Sequence, residues 1–448
     1  MRTIKEVMAE RSPKQDIPTV SAVFRDGRIL ETVYDPHARE TQFVLWDGRQ
    51  CLFQRMFKVS EMRRLVPYSP HNNLIKNEVV LLPSKPEEYE DDEALLAGLQ
   101  SFIHRYVDVS PLFEKIASYY VLLSWVYDGF NELPYLRARG DYGSGKTRFL
   151  LTVGSLCYKP IFASGASTVS PLFRLLEVFR GTLIVDESDF RVSDEKAEVV
   201  KILNNGNVRG FPVLRSEVSG QGEYNPVAYH VFGPKIVASR GPFDDKALES
   251  RFITEELGQK RLRDDIPINL PPEYKAESLR LRNQLLLFRF RNLGRCKVMP
   301  ELVDRSLEPR LNQIFVPLLS IVSDPKARDE LRAVAKQCQN ELVSERGWDT
   351  EAQVLEVIRE LLATSDAPLS VKEITGRFIE LYGDDYERKV TSKWIGWVLR
   401  RRLGIKARRA SGGYILAPAD TGDLNRFYEK YGLETADAAT ADGGTQEN

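Results

Sequence analysis

The chain is poor in the residues that build metal and redox sites. Its four cysteines, at positions 51, 157, 296 and 338, stand too far apart for Cys-x-x-Cys pairs, and its four histidines are equally scattered. This argues against a zinc site and fits reduced thiols in a cytosolic protein. Long apolar runs are missing as well: Tyr119 to Val126, the longest, is far short of a membrane span. The opening MRTIKEVMAERSPKQD mixes charges of both signs and has no apolar core, so no signal peptide is expected and no membrane partner. Net charge is lacking too, at −1, so any nucleic-acid surface must be a local patch. What is present is ordinary for globular protein, 42% hydrophobic and 28% charged, and 448 residues imply two to four domains.

Residues 20–85 read as short strands. Asp26-Gly27 and Asp47-Gly48 each sit between β-favouring residues, a strong hairpin signal. A further strand is expected from Val79 to Leu82, followed by an acidic linker at 86–92 and then helical apolar spacing to Phe130. Residues 131–255 alternate short apolar strands with helices, the pattern of a mostly parallel sheet covered on both faces. Residues 275–345 read as all-helical. The chain after Leu416 carries seven acids against two bases and is expected to be disordered by composition. The resulting domain plan is β-rich 1–90, an α/β core with helical lid 91–345, a small module 346–417, and an acidic tail 418–448.

The strongest signal is Gly140-Asp141-Tyr142-Gly143-Ser144-Gly145-Lys146-Thr147, a phosphate-binding loop between a strand and a helix. Glycines let the backbone N–H groups converge on a phosphate, and the helix N-terminus adds its dipole. The expected nucleotide-binding set is Gly140, Gly143, Ser144, Gly145, Lys146, Thr147 and Arg148. Lys146 would reach the β- and γ-phosphates of ATP, and the Thr147 hydroxyl would hold Mg²⁺. About forty residues on, Gly181 to Val185 is an apolar strand ending in Asp186 and Glu187. Asp186 can organise the Mg²⁺, and Glu187 can polarise the attacking water. Farther along, Lys235 to Ala238 is another strand, ending in Ser239, and Leu248-Glu249-Ser250-Arg251-Phe252 follows.

With these segments in place the chain resembles the AAA+ ATPases, particularly the helicase branch shared by minichromosome maintenance proteins and superfamily 3 viral helicases. Leu248 to Phe252 looks like the arginine-finger segment of the former. The likeness spans roughly residues 95–340, and the layout is also similar to ATPases of plasmids, prophages and integrated elements. The resemblance implies an AAA+ core in a hexamer-like ring, with Ser239 as sensor 1, Arg310 as sensor 2 and Arg251 reaching the neighbouring subunit's nucleotide. Two β-like runs, 210–215 and 226–232, flank a glycine-rich tip, where these families carry a hairpin that touches DNA. Here the tip carries Glu217 and Glu223, and Arg215 is the nearby base, a departure from a phosphate-tracking hairpin.

Residues 350–417 have the pattern of a winged helix, with a capping box at Ser370 to Glu373 and a glycine-rich hairpin around 411–413. From Tyr386 to Arg409 there are nine bases and one acid, Glu387. Arg388, Lys389, Lys393, Arg400, Arg401, Lys406, Arg408 and Arg409, with Arg215, are the candidate DNA contacts. The leading expectation is an ATP-driven DNA helicase or translocase serving replication of a mobile element or phage, in company with other replication proteins. An ATP-switched DNA-binding regulator uses the same two parts, and a defence or remodelling ATPase acting on protein is a third reading.

Overall fold

The computed structural model describes residues 15–164, 169–186, 194–216, 225–243, 245–347, 349–364, 367–386, 389–405, 407–410, 413–416 and 424–433. The chain divides into two compact units, Met1–Ala333 and Val334–Asn448.

The first unit opens with strands β1 (Gln15–Thr19), β2 (Ser21–Val23), β3 (Ile29–Asp35), β4 (Glu40–Trp46), β5 (Cys51–Gln54), β6 (Phe57–Lys58) and β7 (Arg63–Pro67). Both Asp-Gly pairs make the expected hairpins. Gly27 and Gly48 take φ of 87° and 97°, where a side chain would be strained. Asp26 and Asp47 lock the turns by accepting hydrogen bonds from the backbone N–H of Arg28 (3.1 Å) and of Arg49 (2.8 Å). β2 to β5 form one antiparallel sheet, while β1 and β6 flank β7 in another. The expected strand at Val79–Leu82 is reduced to a single antiparallel bridge, Val80 to Ile161, before Pro83 removes the next donor.

The centre of the unit is a five-stranded sheet of β8 (Tyr135–Arg139), β9 (Ile161–Ala163), β10 (Leu183–Val185), β13 (Lys235–Ser239) and β14 (Phe252–Glu256). Its order is β14-β8-β13-β10-β9, with every pairing parallel. Between β10 and β13 in sequence, β11 (Val213–Arg215) and β12 (Val227–Tyr229) pair as a separate antiparallel hairpin. Burial of Leu136, Ile161, Ile184, Ile236 and Val237 explains the apolar strand sequences, because both faces are covered. All five strands of the sheet deliver their C-terminal ends to one edge, which is where ligands sit in open α/β sheets.

Two cations break the apolar pattern. Arg137 on β8 is buried and pairs with Glu249, donates to Thr254 Oγ1 at 3.0 Å and lies over Phe243 and Phe252. Lys235 at the start of β13 is fully buried and donates to three carbonyls, Val231 (2.8 Å), Gly233 (2.9 Å) and Gly206 (3.3 Å). Gly206 is required there, since a Cβ would lie 2.6 Å from the Val231 carbonyl oxygen and 2.7 Å from that of Ile202. Burial alone pushes the Lys235 ammonium down to about 7. The unfolded chain therefore holds the Lys235 proton up to its ordinary value of 10.5, while the folded chain releases it near 7. Stability contributed by this site rises with pH across that window, by at most about 1.4 kcal/mol per pH unit. Urea unfolding from pH 7 to 10 is expected to show a steeper rise in the wild type than in Lys235→Met; parallel profiles would refute a buried titrating lysine.

Helices Glu273–Asn292 and Pro309–Ile321 follow the sheet, as the sequence leads one to expect, and Pro325–Gly347 runs on into the second unit. The strand-rich segment is welded to this core rather than standing apart after residue 90. Glu31 of β3 is buried and meets Lys159 (2.9 Å), Arg289 (2.8 Å) and the Tyr158 hydroxyl (2.7 Å). Arg289 also makes a two-pronged contact with Asp128 at 2.8 and 2.7 Å.

The second unit has its own core, with Val354, Leu355, Ile358, Ile374, Phe378, Ile395, Val398 and Leu399 fully buried. Helix Thr350–Thr364 leads to β15 (Leu369–Ser370) and helix Val371–Tyr382, whose expected capping box is formed by Ser370 and Glu373. Helix Ser392–Trp397 continues as a wider turn over Val398–Arg402, and Gly404 at φ 70° ends it. β16 (Arg408–Ala410) and β17 (Gly413–Leu416) then pair antiparallel, with β15 on the far side of β17. One element was unforeseen. Within the segment expected to be disordered, Leu424–Tyr431 is a helix that buries Leu424, Tyr428 and Tyr431 in the same core. Their i, i+4, i+7 spacing was legible, but the acidic composition masked it.

Candidate functional site

The phosphate loop follows β8 and enters helix Lys146–Gly154. Gly143 and Gly145 adopt φ of 74° and 96°, and Gly145 occupies the helix N-cap in the left-handed region. Gly140 answers to space instead: a Cβ there would lie 2.6 Å from the Leu257 carbonyl and 2.7 Å from Ser144 Oγ. The loop is thus a glycine-permitted concavity at a helix N-terminus, facing a cleft of about 330 Å³.

Two observations tie this cleft to phosphate and metal. Thr147 Oγ1 donates to Asp186 Oδ2 at 2.8 Å, although β10, which delivers Asp186, is separated from β8 by β13. A hydroxyl and a carboxylate so joined, open to the cleft, are the small protein share of an octahedral Mg²⁺ site whose other ligands come from phosphate and water. Second, Ser144 Oγ is buried with no partner, an orphaned polar atom in the cradle itself. The residues present therefore fit a magnesium-bound triphosphate. Lys146 Nζ donates to the carbonyls of Gly140 and Asp141, both at 2.7 Å, so it folds over the loop it would serve.

Other expected residues fall in different places. Arg148 lines the cleft but its guanidinium is held by carbonyls, those of Pro267 (2.9 Å), Ile268 (2.6 Å) and Tyr106 (3.4 Å), so it braces the loop helix. Ser239 reaches the cleft at the end of β13, with its hydroxyl turned onto the Gly241 carbonyl at 3.0 Å. Glu187 lies outside the described residues. Sequence reasoning missed Arg240 and Tyr142, which also line the cleft; the guanidinium carbon of Arg240 is 3.6 Å from the Tyr142 ring centre. Position one past a strand end beside the loop was the available signal.

Arg251 is buried and grips the fold through Asn207 Oδ1 (2.9 Å), Asn204 Oδ1 (2.8 Å) and the Ala247 carbonyl. Burial, and after it the charge of nearby Arg310, pushes its guanidinium below the ordinary value. Neither arginine lines the phosphate-loop cleft.

Among the described residues of the second unit, Lys389, Lys393, Arg400, Arg401, Arg408 and Arg409 are exposed. Arg402 is neutralised by Glu351 at 3.1 Å. Arg388 and Lys406 lie outside the described residues, as does the tip of the β11–β12 hairpin. Arg215 on that hairpin is turned inward, over Phe173 and 3.4 Å from Glu198. No group of three or more metal-ligating His, Cys, Asp or Glu side chains occurs among the described residues, and no helix there is long and apolar enough to cross a membrane.

The parallel sheet, glycine cradle and Thr147–Asp186 pair define an α/β P-loop core. No protein-family model matches the chain, and no curated protein matches it in sequence. Solved structures give loose likenesses. The C-terminal region of NrS-1, in its A-form apo structure, is 13% identical with a TM-score of 0.36, covering 86% of this chain and 95% of that one. SCCmec type IV Cch, described as an active helicase, is 13% identical with a TM-score of 0.37, covering 96% and 83%. A full-length MCM homologue from Methanopyrus kandleri is 13% identical with a TM-score of 0.34, covering 70% and 78%.

Proposed function

We propose that the protein is an ATP-hydrolysing DNA motor, a helicase or translocase that works as a ring of subunits in the replication of a mobile element or phage. The observation that carries the ATPase half is the Thr147–Asp186 contact at the mouth of the glycine cradle. Lys146 would bind the β- and γ-phosphates, the loop N–H groups would hold the polyphosphate, and Glu187 would orient the attacking water. The Mg²⁺ held by Thr147 and Asp186, when bound, supplies charge neutralisation on the transferring phosphoryl group.

Arg251 and Arg310 support the ring. Arg251 is disfavoured as a cation first by burial and then by the nearby charge of Arg310, so an anion beside it would be stabilising, and neither arginine lines its own subunit's cleft. A neighbour's triphosphate is the anion this reading supplies. The DNA half of this reading rests on the second unit: helices Thr350–Thr364, Val371–Tyr382 and Ser392–Trp397, the three-stranded sheet and the β16–β17 hairpin are the parts a winged helix would use, and exposed Lys393, Arg400, Arg401, Arg408 and Arg409 lie along Ser392–Arg402 and the hairpin.

Hydrolysis by the full chain is expected to rise with single-stranded or forked DNA, and forked duplexes should be separated in an ATP-dependent way. Hydrolysis indifferent to DNA, with no strand separation, would overturn the motor reading. Reversing Arg408 and Arg409 to glutamate is expected to weaken DNA binding and to flatten the plot of log affinity against log salt by about 0.7–0.9 for each phosphate no longer neutralised. An unchanged slope would remove the hairpin from the interface.

A further inference from the structure

Arg240 has no role in the reading above, yet it lines the cleft. Ser239 ends β13, and its carbonyl accepts a hydrogen bond from Gly140 N at 3.2 Å, which seats residue 240 against the first turn of the phosphate loop. The Arg240 guanidinium carbon lies 3.6 Å from the Tyr142 ring centre, and both side chains line the cleft with Thr147 and Asp186. Tyr142 is 76% exposed, so its ring is not there to fill a core. Among the described lining residues the cations are Lys146, Arg148 and Arg240. Arg148 is committed to backbone carbonyls and Lys146 folds onto those of Gly140 and Asp141, while Arg240 lies on the Tyr142 ring in the cleft that Thr147 and Asp186 also line. The Ser239 hydroxyl, for its part, is used within its own turn.

We propose that Arg240 reads the terminal phosphate of ATP from within the same subunit, in place of Ser239, with Tyr142 as the platform that holds its guanidinium over the loop. The proposal rests on the ATPase reading and deepens it. A serine hydroxyl offers one hydrogen bond and no charge. A guanidinium offers a planar fork that meets two phosphoryl oxygens and a full charge that offsets what accumulates on them during transfer. Stacking on an aromatic face fixes the plane of that fork before the phosphate arrives, which lowers the ordering cost of binding. Only the γ-phosphate distinguishes ATP from ADP, so a residue with this task must separate the two nucleotides.

The test titrates the full chain with a non-hydrolysable ATP analogue and with ADP, each with Mg²⁺, and measures hydrolysis alongside. In Arg240→Ala the analogue should bind on the order of 10–100-fold more weakly, with ADP within about threefold of wild type. Hydrolysis should fall by about 10²–10³. Arg240→Lys should recover only part of the discrimination, because an ammonium lacks the fork. Tyr142→Phe should behave as wild type, and Tyr142→Ala should shift in the same direction as Arg240→Ala by a smaller factor. Unchanged affinity for the analogue in Arg240→Ala, or equal loss of both nucleotides, would overturn the assignment while leaving the ATPase reading intact. Should Arg240→Ala melt early without nucleotide, the Tyr142→Ala comparison decides: no change in discrimination there overturns it. Wild-type protein that binds neither nucleotide would remove the ATPase reading and this proposal together.

Discussion

Replacing Lys146 with alanine is expected to abolish ATP hydrolysis, lowering turnover by on the order of a thousandfold or more while leaving the fold intact. The side chain is half-exposed and its hydrogen bonds go to the carbonyls of Gly140 and Asp141, both exposed enough to be taken over by water. Its loss therefore costs little stability. What is removed is the cation nearest the concavity formed by Gly143, Gly145 and the N-terminus of helix Lys146–Gly154. A melting profile matching wild type together with lost hydrolysis is the expected pair of results. Full hydrolysis in Lys146→Ala would place the ATP site elsewhere.

Much of this site was readable because its information is local. A glycine-rich loop between strand and helix is encoded by eight consecutive residues, and the chemistry of each position restricts what can stand there. Asp186 was readable for a related reason, since a carboxylate ending an apolar strand points to the edge where parallel strands terminate. The parallel sheet followed from the strand compositions, and both Asp-Gly hairpins from their turns. What could not be read is what depends on distant partners. The hydrogen bonds that hold Arg251 come from Asn204 and Asn207, 47 and 44 residues away. Nothing about an arginine after a short helix announces whether its guanidinium faces solvent or two asparagines. Ser239 shows a subtler limit: sequence places it at the cleft, and only geometry shows its hydroxyl turned onto Gly241 while Arg240 overlooks the loop. The β-rich segment likewise read as a separate domain because its linkage to the core runs through single side chains.

Glu31 is that linkage, and its loss is the largest stability effect expected in the molecule. It lies in the strand Ile29–Asp35 and is only 1% exposed, with Lys159 and Arg289 equally buried. Glu31, Asp128, Lys159 and Arg289 sum to zero charge, which is why the cluster can exist in the interior. Burial works against the Asp128 carboxylate, yet Arg289 outweighs it and holds Asp128 below its ordinary range. Burial brings Lys159 down to about 8, with Glu31 holding it from falling further. Glu31→Ala leaves one positive charge uncompensated and should cost about 3–5 kcal/mol. That corresponds to a drop on the order of 10 °C in melting temperature. The sign of the pH dependence follows from Lys159. Without Glu31 its folded-state value falls below 8, so the variant sheds the buried proton at lower pH than wild type does. The defect should be largest well below pH 8 and narrow as pH rises to 8, above which both proteins gain stability in parallel until the unfolded lysine titrates. Adding Lys159→Met to Glu31→Ala restores zero charge and should recover part of the loss, a non-additivity that a double-mutant cycle measures directly. Additive losses, or a defect that does not change with pH, would mean that Glu31 acts by filling space and that charge balance does not hold the strand-rich segment to the P-loop core.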